Sequence, residues 1–298
     1  MEAWILFTIA AAFLQNIRNT LQKSLNSVLS TGGAAYTRFA FGLPLAVIYW
    51  LILFNVIHQD LNWGVKFWTF AVIGGTAQVL AMVTLLRAFS LRGFAVGTAF
   101  AKTETIQTAI FTILILSESV SQAAVIAIAL SFVGVCFLSL SKAAKLSEFL
   151  YFWRDKAAMF GLASAALLAL SGVSYRGAAL SMGGEGALLQ ASSVLVIALI
   201  LQTFQMTVYL AHFEKGQLTE VWRHRFKSSL VGIASMMGSV GWFTAMTLQN
   251  AAYVRALGQV ELVFTLLTSI FIFRERISPP EGFGMALVVS GIFVLLFG

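Results

Sequence analysis

One feature constrains this chain more than any other. Apolar runs of the length that crosses a hydrocarbon core as a helix, roughly 20 residues, follow one another from end to end with short polar stretches between them. They fall at 3–22, 33–56, 66–89, 94–116, 121–140, 157–180, 187–211, 228–250, 255–273 and 280–297. Charged residues make up only 10% of the 298, against about 25% in a soluble domain, so water cannot cover most of this surface. The expected fold class is an all-α integral membrane protein of ten transmembrane helices, with the lipid bilayer as its solvent. The net charge of +7 could suit nucleic acid, but the basic residues sit in clusters between apolar runs, as at a cytoplasmic membrane face. No nucleic-acid partner is expected. The single cysteine, Cys136, lies inside an apolar run, and His58, His212 and His224 lie in loops without metal-ligand spacing. Neither a metal site nor a cofactor is expected. The N-terminus lacks a basic n-region, so its apolar stretch reads as a retained first helix and not a cleaved signal.

An internal repeat appears when the chain is slid on itself by 157 residues. Thr103-Glu104-Thr105 falls on Val260-Glu261-Leu262, Ser117-Glu118-Ser119-Val120-Ser121 on Arg274-Glu275-Arg276-Ile277-Ser278, and Gly134 on Gly291. Matches of apolar on apolar mean little in such a chain; two matched glutamates among 12 acidic residues mean more. The repeat divides the chain into 1–141, a polar linker 142–156, and 157–298. Five spans per half is odd, so two halves in series cross the membrane in opposite senses, the inverted plan of many secondary transporters. The basic residues agree. Lys23, Lys142, Lys145, Arg154, Lys215, Arg223, Arg225, Lys227, Arg274 and Arg276 fall on the side reached after the first span, whereas the other side has mainly Lys66. By the positive-inside rule that first side is cytoplasmic and both termini are outside.

Glu104 followed by Glu118-Ser119-Val120-Ser121, and Glu261 followed by Glu275-Arg276-Ile277-Ser278, resemble the EamA-like family of the drug/metabolite transporter superfamily. Length, ten spans and two five-helix halves fit, so the resemblance covers the whole chain. It departs at Thr105, where the family often has Pro. The resemblance implies two inverted five-helix repeats around a central cavity, with spans five and ten peripheral. It also implies export or exchange of small metabolites, often amino acids, and termini in the cytoplasm, opposite to the charge count.

An ionised side chain at bilayer depth costs about 2.5–3.5 kcal/mol on insertion scales and needs a partner, a wet cavity or a nearby headgroup. Glu104 and Glu261 lie about 15 Å along their spans at ~1.5 Å per residue, too deep for a short carboxylate to reach the surface. Two readings stand for them: an ion pair or hydrogen bond tying helices together, or a cavity-facing pair that binds a substrate amine or takes up a proton. A carboxylate in low dielectric favours its neutral form, as proton coupling requires. Gln15, Arg18, Asn19 and Gln22 recur at helical spacing and form one polar stripe on span one, facing protein or water. Arg38 sits within two turns of a span end, where a long side chain can snorkel or line the cavity. Gln78, Gln107, Gln202 and Gln205 are further polar candidates, and Trp242, Tyr175 and Tyr36 could stack on an aromatic substrate or simply anchor and pack. Gly93-Gly97-Ala101 and Gly282 with Ala286 read as helix-packing faces.

No nucleophile motif or phosphate-cradling loop marks an enzyme, and two inverted halves in one chain favour alternating access over a channel. The expected partner is a small-molecule substrate, the expected assembly a monomer or homodimer, and the expected location a bacterial inner membrane. Basic residues within the spans (Arg18, Arg38, Lys102, Arg176, Arg255) outnumber the acidic ones (Glu104, Glu261), which suits a substrate with a carboxylate. The sequence therefore points to efflux of amino acids or related zwitterions with proton coupling. The alternative is uptake or exchange of another solute, such as a vitamin, a nucleotide precursor or a cationic drug.

Overall fold

A computed structural model describes residues 2–92, 100–140, 156–184, 186–271 and 278–298. Gly93, Gly97, Lys142, Lys145, Arg154, Arg274, Glu275 and Arg276, named above, lie outside the described residues. Those described form helices and connecting turns without a strand. In chain order the helices are α1 Ala3–Leu25, α2 Thr31–Ala40, α3 Leu43–Val56, α4 Val65–Arg92, α5 Glu104–Leu116, α6 Gln122–Leu140 and α7 Lys156–Ser181. There follow α8 Ala187–Phe213, α9 Gln217–Arg223, α10 Arg225–Leu248, α11 Ala251–Leu257, α12 Val260–Phe271 and α13 Pro279–Phe297. Among the described residues six helical segments are long and apolar enough to cross a membrane: Thr31–Val56, Val65–Ala88, Lys156–Ser181, Ala187–Phe213, Arg225–Leu248 and Pro279–Phe297. Glu104–Leu116 and Gln122–Leu138 are shorter apolar helices. Large apolar side chains such as Ile52, Leu114, Phe204 and Phe293 are more than half exposed. Water would make that a liability, and a hydrocarbon solvent would not.

Helix ends follow local chemistry. Pro279 and Pro280 open α13, where their missing N–H groups cost nothing, and Ser278 with Glu281 forms a capping box there. The second apolar run is two helices, not one. Pro44, at the start of α3, has no N–H for the carbonyl of Ala40, which breaks the ladder. The chain turns at Phe41-Gly42, pressed against Gly232, where an added Cβ would lie 2.5 Å from that of Phe41. The fourth and ninth runs are interrupted as well. Turn residues Lys102-Thr103 precede α5, and Gly258-Gln259 separate α11 from α12.

The chain divides into two compact units, Met1–Val79 with Ser174–Gln249, and Leu80–Val173 with Asn250–Gly298. Each draws on chain from both sides of the 142–156 linker. In the first unit α8 is the central helix, buried from Leu189 to Leu210 on several faces. Helix α1 lies along α10. A Cβ on Gly241 would be 2.8 Å from that of Ala11 and 2.9 Å from the Phe7 carbonyl, while Gly238 faces Leu14 and Ala11. The contact residue on α1 falls as that on α10 rises, so the two helices run antiparallel. The first-unit parts of α4 and α7 do the same, with Gly74 against Tyr175 and Gly177 against the ring of Phe70. The Asn62 amide donates to the Met182 carbonyl (3.0 Å), joining two turns at one end of the unit. At the other end the Ser30 hydroxyl donates to Glu214 and the Ser30 amide to Gln217 Oε1 (2.9 Å).

In the second unit α6 and α13 cross closely. A Cβ on Gly134 would lie 2.5 Å from the Gly284 carbonyl oxygen, and one on Gly291 would lie 2.8 Å from that of Ala127. These helices are also antiparallel. Gly282, expected on the packing face, has nothing within 4 Å of an added Cβ; Gly284 and Gly291, on a different face of α13, make the contact. Ile128, Ala252 and Ala256 form a small core with Ile106, Val120 and Leu295 around them.

Candidate functional site

The first unit contains a polar cleft walled by Arg38, Phe39, Gln78, Leu195, Leu199, Gln202, Ser235, Ser239 and Phe243. Gln202 and Ser235 are almost fully buried. Gln202 Nε2 donates to Gln78 Oε1 (2.5 Å) and to Tyr175 Oη (2.7 Å), and Tyr175 Oη donates to Gln78 Oε1 (2.9 Å). This triangle joins α4, α7 and α8, and the Tyr175 ring packs on Phe243 of α10 at 4.5 Å between centroids. Arg38, from the last turn of α2, lines this cleft. Its guanidinium carbon lies 4.7 Å from the centre of the Phe39 ring, and Arg18 and Tyr175 are near enough to act on it electrostatically. Among the described residues no carboxylate pairs with Arg38. The free volume of the cleft is about 20 Å³, close to one water molecule's worth.

Arg176, in the same unit, is placed quite differently. Its Nη1 donates to the carbonyls of Met246 (2.7 Å), Thr247 (3.3 Å) and Gln249 (2.6 Å). These are carbonyls at the C-terminal end of α10, where a cation complements both the unsatisfied acceptors and the helix dipole. Arg176 is a helix cap.

The second unit holds both deep glutamates, each in the first turn of a helix that follows an interruption, Glu104 in α5 and Glu261 in α12. Glu104 Oε1 lies 3.0 Å from Arg255 Nε, with side chains 15% and 19% exposed. Lys102 and Glu261 are within electrostatic reach of Glu104. Beside this pair Gln259 Nε2 donates to Thr105 Oγ1 (2.8 Å), so two polar contacts tie the α11–α12 turn to α5. The ion-pair reading of Glu104 therefore describes its geometry here. Its partner, Arg255, is 151 residues away in the chain, and only the rule that a deep charge needs a counterpart could have pointed to it.

The remaining candidates are dispersed. On α1, Gln15 Oε1 accepts from Trp242 Nε1 (3.1 Å), while Arg18 bonds to Asn19 Oδ1 through Nη2 (2.8 Å) and Nε (3.2 Å). Asn19 is exposed. Tyr36 Oη accepts from Thr207 (3.0 Å), Gln205 Nε2 donates to Thr76 (2.9 Å), and Gln107 Nε2 donates to Thr103 (2.9 Å). Of the nine foremost candidates the first unit thus joins Gln78 with Tyr175, Gln15 with Trp242 and Arg18 with Asn19, and sets Arg38 at the cleft of the first pair; the second brings Glu104 and Glu261 into one electrostatic neighbourhood. Ser235 and Ser239 of the cleft carry no sequence signal, because lone serines are ordinary in packed membrane helices.

Interrupted helices bearing acidic residues thus lie within a chain of apolar helices. Residues 155–297 match the model of the EamA-like transporter family. The match covers 143 of the 298 residues, just under half of the chain. No curated protein matches the chain. One protein of known crystal structure, 16% identical, matches over 98% of this chain and 96% of its own with a TM-score of 0.76, which is a likeness of fold. The EamA-like assignment, together with the six apolar helices, makes this an integral, multi-pass membrane protein, and EamA-like proteins are transporters of small solutes.

Proposed function

We propose that the chain is a secondary carrier working by alternating access, with ten membrane crossings in two inverted five-helix halves, 1–141 and 157–298, joined by the linker 142–156. The observation that carries this reading is the pair of interrupted helices. Each has a glutamate in the first turn after the break, and the two glutamates stand at the 157-residue offset of the repeat. Discontinuous helices at equivalent places in two halves are where secondary transporters build their coupling sites. Antiparallel pairing supports inversion: α6 and α13, the fifth and tenth crossings, make reciprocal contacts, Gly134 with Gly284 and Gly291 with Ala127. An offset of 157 residues carries one of these contacts onto the other.

The preferred substrate is an amino acid or related zwitterion leaving a bacterial cell across its inner membrane in exchange for protons. Glu104 is the coupling group in this reading. Its charged form is held by Arg255, and protonation releases that hold, which leaves the Gln259–Thr105 hydrogen bond as the remaining polar tie between the α11–α12 turn and α5. A cationic solute is the less favoured alternative, because the carboxylate it would use is already engaged by Arg255.

The test is flux into proteoliposomes offered a mixed metabolite pool with and without an imposed pH gradient, read by mass spectrometry against empty liposomes. A few solutes should accumulate only with protein and gradient together. Glu104→Gln and Glu261→Gln should each abolish gradient-driven accumulation while the protein stays folded. Normal driven flux in both variants would remove the glutamates from the coupling step.

A further inference from the structure

Arg38 and Arg176 belong to the same compact unit, and their surroundings differ in kind. Arg176 spends its guanidinium on three backbone carbonyls. Arg38 spends none of its donors that way: among the described residues it makes no hydrogen bond or ion pair, and it lies against the neighbouring Phe39 ring. A guanidinium carries five N–H donors in a planar fork that matches a carboxylate. Arg38 is half-buried, so a fork that no protein acceptor takes up stays open to a ligand in the cleft.

The rest of the cleft has the same bias. Gln78 Oε1 is occupied twice, by Gln202 and Tyr175, which leaves the Gln78 amide nitrogen as a donor. Ser235 and Ser239 add hydroxyls that can donate. Among the described residues no carboxylate lines the cleft, and the charge of Arg18 adds to that of Arg38. Leu195, Leu199 and Phe243 give the same cleft apolar surface.

We propose that Arg38, with Gln78, Ser235 and Ser239, forms a carboxylate-binding subsite in the first unit, and that its ligands are small organic acids or amino acids with an apolar side group. The carboxylate takes the fork of Arg38 in a two-point contact, the amide of Gln78 and the serine hydroxyls complete its shell, and the apolar group lies on Leu195, Leu199 and Phe243. The Gln78–Tyr175–Gln202 triangle holds the donor amide in place from behind. With about 20 Å³ free, the walls must part before an acid enters. The proposal rests on the carrier reading and says which residues of this chain take the substrate's carboxylate.

Arg38 can be tested without measuring flux. The full-length protein in nanodiscs is treated with phenylglyoxal, an arginine-selective reagent, and modification of Arg38 is followed by peptide mass spectrometry. Lactate, alanine, leucine and phenylalanine are each added, in parallel with their amides, which keep the shape and lose the negative charge. At a concentration about ten times its dissociation constant, an acid that binds should slow Arg38 labelling about tenfold, and its amide should not. Arg38→Lys keeps the charge but loses the planar fork. In proteoliposomes it should lose most flux of the protecting acid, and Arg38→Gln should lose all of it. Equal behaviour of acids and amides, including no protection by either, overturns the proposal, as does an Arg38 that never reacts. Protection without flux would keep the subsite and remove the carrier reading; flux without protection would do the reverse.

Discussion

Arg38 and Arg176 looked alike in the sequence, as two arginines inside apolar runs. An isolated charge in a span demands a counterpart, but the demand does not say whether a backbone carbonyl, a side chain or a substrate answers it. The answer lies in tertiary contacts. Met246, Thr247 and Gln249 reach Arg176 from 70–73 residues away in the chain, as Arg255 reaches Glu104 from still farther. The two arginines should therefore respond oppositely to substitution. Arg176→Ala removes charge-assisted bonds to the end of α10 and should cost about 2 kcal/mol, seen as a clear fall in Tm in detergent. Arg38→Gln removes no protein hydrogen bond among the described residues and should shift stability by less than about 1 kcal/mol while removing flux. A similar fall in Tm for both would mean that Arg38 is structural after all.

At the scale of the helix the apolar runs were legible because hydrocarbon thickness sets their length. Eight of the ten expected runs begin within three residues of the start of an observed helix; the fourth begins outside the described residues, and the ninth begins four residues after the start of α11. Turn residues Lys102-Thr103 lie inside the expected fourth run, and the ninth region begins as a separate short helix, Ala251–Leu257. Hydropathy is blind to such breaks, since the residues on either side remain apolar. Only Pro44 announced an interruption, and it lies just after the turn it causes. Packing faces were harder still. Glycine and alanine spacing selected Gly282, which meets nothing, over Gly284 and Gly291, which meet backbone. A small residue permits close approach, but a partner must be there to approach. Gly134→Val should thus force α6 away from α13 and cost about 1–3 kcal/mol, whereas Gly282→Ala should leave Tm unchanged or slightly raised. Thermal unfolding of the two variants side by side checks the assignment, and a destabilised Gly282→Ala would contradict it.

For the whole molecule, the distribution of basic residues and the family resemblance disagree about which side the termini face, and the fold supplies a way to separate that question from topology. Ser30 bonds to Glu214 and Gln217, so the turns following α1 and α8 lie at one end of the first unit. Asn62 and Gln59 bond to Met182 and Gly183, so the turns following α3 and α7 lie at the other. With Cys136 replaced by Ser, single cysteines at Ser27, Lys215 and Asp60, all exposed, report both ends. A membrane-impermeant maleimide should label Ser27→Cys and Lys215→Cys from the same side and Asp60→Cys from the opposite one. Labelling of Ser27 and Lys215 from different sides would break the fold itself. If the Ser27 and Lys215 pair reacts only in inside-out vesicles, Lys23, Lys215, Arg223, Arg225 and Lys227 face the cytoplasm, and the positive-inside rule sets the orientation. If it reacts only in right-side-out vesicles, the family's cytoplasmic termini prevail. The basic ends of α1, α9 and α10 would then face outward, and some force other than charge retention must orient the chain during insertion. The charge count favours the first outcome, because the competing side carries little beyond Lys66 to oppose it.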